Sequence, residues 1–148
     1  MSGTPWMYFC PYQEDITKTL QELKRREFVA GRYYPISTDH WLHLPIRPDS
    51  PAPGAKHRSI EEALSASGTG TQSILDMQFV SNTPQLLAVS PIEEEDLNLY
   101  FNSNHPTHEM IASNLDFFDE IEAGQGRYAV VYRDGVPDEI MFAGYSFD

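Results

Sequence analysis

Residues 127–145, RYAVVYRDGVPDEIMFAGY, contain the clearest strand signal in the chain. Two runs rich in β-branched and aromatic residues flank the turn residues DGVP at 134–137, which is typical of a β-hairpin. A two-residue Asp134-Gly135 turn would place Pro137 within a paired strand, where proline is tolerated only at an unbonded position. The sequence therefore favours a four-residue loop, with the two-residue turn as the alternative.

The first half of the chain predicts one strand, one long helix and one irregular segment. The aromatic run WMYFC at 6–10 predicts a buried strand. Residues 14–30 carry apolar side chains at helical spacing, and Gly31 supplies a stop signal. Residues 32–58 contain five prolines and predict an irregular segment whose aromatic first part packs. The polar part at 47–58 is expected to be mobile.

The second half predicts alternating strands and helices before the hairpin. Ser59 and Glu62 form a capping box that starts a short helix. Residues 73–80 and 86–90 predict an antiparallel pair of strands. One helix is expected to start at Ser90, and another is expected over 107–122.

These elements predict a single α+β domain over residues 1–148. We expect an antiparallel sheet of about five strands with helices packed on it. The order is β-α-(loop, short α)-β-β-α-α-β-β. This order resembles the ferredoxin-like βαββαβ topology with one strand added, a superfold that hosts many unrelated functions.

The charge is divided unevenly between the two halves. The chain of 148 residues has a net charge of -12, with 10 Lys+Arg and 22 Asp+Glu. Residues 1–74 hold 8 basic and 8 acidic side chains, whereas residues 75–148 hold 2 basic and 14 acidic ones. Between residues 91 and 122 there are nine carboxylates and no Lys or Arg. The excess of negative charge therefore belongs to one part of the chain.

This acidic part gives the first functional hypothesis, a non-enzymatic interaction or regulatory module. Its helical face would attract a basic protein partner, because complementary charge raises the rate of association. The expected partner-binding residues are Glu93, Glu94, Glu95, Asp96, Asp116, Asp119 and Glu120. A solvated helical surface is the alternative explanation, since acids are also favoured in the first turn of a helix.

The second hypothesis is a small enzyme or a small-ligand-binding domain with a pocket under residues 32–58. Glu27 lies on the apolar face of the predicted helix, where a carboxylate must be paired, protonated or at a frayed end. His40 and His43 are the best candidates for further chemistry. These three residues are the candidate catalytic groups of this alternative. The other residues expected to line the pocket are Arg32, Tyr33 and Trp41.

The sequence predicts no metal, cofactor or membrane span. A zinc site at His40 and His43 would need a third ligand that the sequence does not position. Lys24, Arg25, Arg26 and Arg32 form a small basic patch, which is a weak footprint for nucleic acid in so acidic a chain. Cys10 is alone, so no intramolecular disulfide is possible, and we expect it to be buried in a cytoplasmic protein.

Overall fold

One mixed sheet organises the chain, with the strand order β1-β5-β4-β3-β2. The computed structural model describes residues 3–38, 40–68 and 70–147, and the side chains of Trp41 and His43 are outside that description. In this part the chain has an α+β fold. The strands are β1 Pro5–Pro11, β2 Phe79–Val80, β3 Ala88–Pro91, β4 Gly126–Arg133 and β5 Val136–Tyr145. The α-helices are α1 Ile16–Ala30, α2 Ile60–Ser67, α3 Glu94–Phe101 and α4 His108–Ser113.

The hairpin of β4 and β5 closes through a two-residue turn, so the expected four-residue loop is wrong. Asp134 and Gly135 have φ angles of 51° and 79°, as a type I′ turn requires. Arg133 pairs with Val136 and flanks the turn, so the next pair is a non-hydrogen-bonded one. Pro137 occupies that next pair and removes no hydrogen bond from the β4 ladder.

A β-bulge follows immediately in β5. Val131 pairs with Glu139 and Tyr132 with Pro137, which leaves Asp138 unpaired with β4. The carbonyl of Asp138 instead accepts a hydrogen bond from the Tyr12 N–H at 3.1 Å. Beyond the bulge, the side chains of β5 therefore alternate between the two faces of the sheet in a different register.

The sheet is not wholly antiparallel, because β3 is parallel to both β2 and β4. The chain leaves β3, crosses one face of the sheet through α3 and α4, and returns as β4; such a crossover joins parallel strands. Because β2 is parallel to β3, the expected antiparallel pairing of 73–80 with 86–90 is wrong. The sheet order leaves the ferredoxin-like comparison unconfirmed.

Several element boundaries also differ from the sequence prediction. Residues 74–76 form a 3-10 turn capped by Ser73, so the second strand is reduced to β2. Ser90 belongs to β3, and α3 begins after Glu93. The helix expected over 107–122 stops at Ser113.

The early end of α4 has a local cause. Asn114 leaves the helical region, with φ -141° and ψ 100°. Its side-chain amide donates to the Tyr100 carbonyl at 2.8 Å, and its Oδ1 accepts from the Asp116 N–H at 3.0 Å. Asparagine thus offers the backbone an alternative to the helix. A 3-10 helix, Asp116–Glu120, follows.

Apolar cores lie on both faces of the sheet. On one face, Met7, Phe9 and Met141 pack with side chains of the 92–121 segment. On the other face, Trp6, Tyr8 and Phe142 pack with α1 and residues around Ile74. Each strand alternates its side chains between the faces, and the sheet lies between two layers.

Substitution of Gly135 tests the turn. A Cβ added at Gly135 would meet no atom within 4 Å, so Gly135→Ala changes only the cost of the left-handed backbone. We expect a loss of about 1–2 kcal/mol in the free energy of unfolding, measured with urea, and a smaller loss for Gly135→Asn. A fully stable Gly135→Ala protein would contradict the type I′ turn.

Candidate functional site

The acidic residues predicted to bind a partner form an exposed surface over one face of the sheet. We call this surface, residues 91–122, the acidic layer. Every one of its nine carboxylates is exposed except Asp96, which is half-buried. Their surroundings are partly apolar: Leu99 is 72% exposed and Leu115 is 43% exposed. The layer therefore combines negative charge with accessible apolar side chains.

The negative charge of this layer is not neutralised internally. Within the residues that the structure describes, no Lys, Arg or His forms a salt bridge with any of the nine carboxylates. Arg127 lines the same small cleft as Asp96 and Glu120, but its guanidinium donates to the Ser90 hydroxyl at 3.0 Å. Burial raises the pKa of Tyr100, and its hydrogen bond to Glu120 at 3.1 Å adds to the shift.

Helix-start chemistry explains only part of the cluster. Glu94, Glu95 and Asp96 occupy the first turn of α3, where the positive end of the helix dipole favours carboxylates. Asp116, Asp119 and Glu120 belong to the short 3-10 helix, which offers little dipole to balance three charges. These last three acids have no comparable structural explanation.

Glu27, the first candidate catalytic residue, is fully buried and held by two arginines. Arg32 binds it through both ends of the carboxylate, with Nε donating to Oε1 at 2.7 Å and Nη2 donating to Oε2 at 2.8 Å. Arg26 Nε donates to Oε2 at 2.8 Å. Arg32 is only 2% exposed. Both carboxylate oxygens are engaged, so Glu27 acts here as the centre of an ionic cluster.

Three of the four residues of the expected basic patch make internal contacts, whereas Arg25 is exposed. Arg26 also donates to the Phe9 carbonyl at 3.1 Å, and the buried Lys24 donates to the Met77 carbonyl at 2.8 Å. Burial lowers the pKa of Lys24, partly offset by Glu61 and Asp76. Arg32, Arg26 and Lys24 thus serve internal contacts.

Two other residues of the predicted pocket have different surroundings. His40 is buried, with Nδ1 3.2 Å from the Ser37 carbonyl oxygen and Nε2 2.6 Å from the Gln72 carbonyl oxygen. Tyr33 lies in a separate apolar cluster with Phe28. The predictions for the side chains of Trp41 and His43 fall outside the described residues, so their convergence with His40 stays a prediction.

A polar cavity of about 100 Å³ brings part of the predicted set together. Its polar lining comes from Arg32, Ser37, His40 and Ser50. Glu27 contacts it only through Arg32. No group of three or more His, Cys, Asp or Glu side chains in the described part of the chain could hold a metal ion.

Sequence reasoning missed one pair, His108 with Glu139. His108 Nδ1 lies 3.0 Å from Glu139 Oε1, and the imidazole stacks on Phe9 with ring centroids 4.1 Å apart. The pair borders two grooves, of about 540 and 410 Å³. Half of the residues that line the larger groove are exposed, so it is a shallow surface feature. The bulge at Asp138 places Glu139 beside α4, and no sequence signal predicts this bulge.

Comparison with protein-family models, with curated proteins and with solved structures finds no match. Among the described residues, no helix has the length and apolar character needed to cross a bilayer. The function therefore has to be argued from the residues of this chain.

Removing Glu27 tests the ionic cluster. We expect Glu27→Ala to lower the free energy of unfolding by about 3–5 kcal/mol, because it leaves buried cationic groups unpaired. Glu22→Ala, an exposed carboxylate on the same helix, is the control and should change it by about 0.5 kcal/mol or less. Equal losses in urea unfolding would show that the buried cluster does not form.

Cys10 provides a second test of the packing. It is buried, and this burial raises its pKa from 9.0 to about 12, so at pH 8 the folded protein holds the unreactive thiol. We expect a disulfide reagent to label Cys10 much more slowly in the native protein than in urea at that pH. Equal rates would contradict a buried Cys10.

Proposed function

We propose that this chain is an acidic protein-interaction or regulatory module that binds a basic protein partner through the acidic layer. The observation that supports this proposal is the set of exposed carboxylates without a cationic partner among the described residues. Surface acids in a stable fold are commonly interspersed with Lys and Arg. A partner with clustered Lys or Arg would supply the missing cations.

The exposed apolar side chains give the proposed interface its contact area. Leu99 and Leu115 lie among the acids of the layer. In protein interfaces, a well-packed apolar centre contributes most of the binding energy. Charged groups at the rim mainly steer the encounter and set its salt dependence. We therefore propose that the acids control the rate of association and that the leucines control the lifetime of the complex.

Affinity capture with matched variants tests this function. The binding variant carries Glu93→Gln, Glu94→Gln, Glu95→Gln and Asp96→Asn. The control variant removes the same number of charges outside the layer, with Glu14→Gln, Glu61→Gln, Asp134→Asn and Asp138→Asn. All four control positions are exposed. A partner should be retained by wild type and control, and lost by the binding variant.

Salt provides the second arm of this experiment. The Debye length falls from about 30 Å at 0.01 M to about 3 Å at 1 M ionic strength. The association rate of the purified partner should therefore fall steeply over this range for wild type and weakly for the binding variant. If every captured protein binds the binding variant and the control variant equally well, the acidic layer is not the interface.

A second candidate function is a small-ligand-binding domain or small enzyme with its pocket under residues 32–58. The polar cavity lined by Arg32 and His40 favours it. Its volume of about 100 Å³ is below the 300–1,000 Å³ of drug-sized ligand pockets. This candidate function is therefore confined to very small ligands.

The cytoplasmic location of the protein stays a prediction.

A further inference from the structure

The polar cavity has a buried arginine at its wall. Two arginines share the single carboxylate of Glu27, so the cluster of Arg26, Glu27 and Arg32 carries one net positive charge, although Arg26 is 22% exposed and does not line the cavity. An anion bound beside Arg32 would add a favourable charge interaction with this cluster. Arg32 is the member of the cluster that lines the cavity.

Arg32 also has unused donors. A guanidinium carries five N–H groups in a fixed planar arrangement. Three are engaged: two bind Glu27, and Nη1 donates to the Ser50 carbonyl at 2.9 Å. The remaining two, one on each terminal nitrogen, have no partner among the described residues. They belong to a buried side chain that lines the cavity, since Arg32 is 2% exposed.

Two hydroxyl groups of the wall can also donate. Ser50 Oγ already accepts from the Arg47 N–H at 2.9 Å, so its own O–H is free to donate. The Ser37 hydroxyl has no hydrogen-bond partner in the described part of the chain and lines the same cavity. His40 is fixed by its two carbonyl contacts. The rest of the wall is apolar and comes from Ile46, Pro51 and Pro53.

From these observations we infer that the cavity is a binding site for a small oxyanion, a carboxylate or a phosphate-sized ion. Arg32, Ser37 and Ser50 would donate hydrogen bonds to its oxygens, and the Arg32 guanidinium would contribute the charge interaction. The volume of about 100 Å³ limits the ligand to a free ion or one terminal group. This inference rests on the second candidate function and gives its ligand class.

Asp49 is the charged group that opposes such a ligand. It is exposed in the same segment. The pKa of Arg32 is raised first by its hydrogen bonds to Glu27, and Asp49 contributes to the same shift through its charge. Asp49 therefore already provides part of the counter-charge and competes with a bound anion. Its removal should strengthen anion binding.

The test compares acetate with acetamide, its neutral isostere, at constant ionic strength. Binding is measured by calorimetric titration and by the rise in Tm with probe concentration. Acetate should give a saturable effect and acetamide none. Inorganic phosphate is the third probe. Binding of phosphate indicates a site that accepts tetrahedral ions, and binding of acetate alone indicates a site restricted to carboxylates. Both results agree with an oxyanion site.

Three variants make the test specific to the cavity. Ser37→Ala should weaken acetate or phosphate binding about ten-fold, because it removes a hydrogen bond to a charged group. Asp49→Asn should strengthen it. Ser65→Ala, at an exposed position of α2, should leave it unchanged. Arg32 is kept intact because its loss would also deprive Glu27 of its main partner.

The outcomes separate this inference from the functions proposed above. Equal binding of acetate and acetamide would overturn the oxyanion assignment but keep a small-ligand pocket. No saturable effect of any probe would also overturn the oxyanion assignment, without testing ligands of other chemistry. Equal affinities of the Ser37→Ala and Ser65→Ala proteins would place the anion elsewhere and overturn the assignment. None of these probes or variants tests the acidic layer, whose capture experiment is independent.

Discussion

Strand β5 has apolar side chains on both faces, and this constraint governs the architecture. It is paired along most of its length, with β1 on one side and β4 on the other. Ile140 and Phe142 point to one face, and Met141 and Ala143 to the other, all of them fully buried. Strands buried on both faces require cover from two sides. Neither helical layer is therefore dispensable, and the chain must cross the sheet to supply both.

The two layers come from different parts of the sequence. The difference in charge between the two halves of the chain therefore becomes a difference in charge between the two faces of the sheet. The first, neutral half supplies α1 and the 32–58 segment over one face. The acidic layer covers the other face, between the parallel strands β3 and β4. The two layers meet at one groove, where Arg47, Pro48 and Asp49 lie with His108 of the acidic layer. The carboxylates proposed to bind a partner and the residues that line the anion cavity are nonetheless two separate sets.

The sequence predicts the α+β class and the main helices because hydrophobic periodicity, Ser59 and Gly31 are local signals. It misses the parallel pairs because no local pattern encodes strand direction: β2 and β3 are joined by the short segment 81–87, and β3 and β4 by the 94–120 crossover. The sequence favours the four-residue loop because proline is tolerated in a strand only at an unbonded position, and the position that Pro137 takes in the ladder depends on the turn itself. The sequence does not predict the contact between His108 and Glu139, because a one-residue bulge determines which side chain of β5 faces α4. The continuous apolar run of residues 140–143 was the available sign of two-sided burial.

The buried carboxylate of Glu27 shows how a local violation of the apolar pattern can organise a whole segment. Gly31 adopts φ 73° and ends α1, and the Arg32 N–H then donates to the Glu27 carbonyl at 3.2 Å. This turn brings the Arg32 guanidinium back onto the carboxylate. A Cβ at Gly31 would clash with the backbone of Gly54, whose N–H donates to the Ala30 carbonyl at 2.8 Å. The helix end, the ion pair and the proline-rich segment are therefore one unit. Because the same unit forms the wall of the polar cavity, occupancy of the cavity and stability of this end of α1 must be thermodynamically linked.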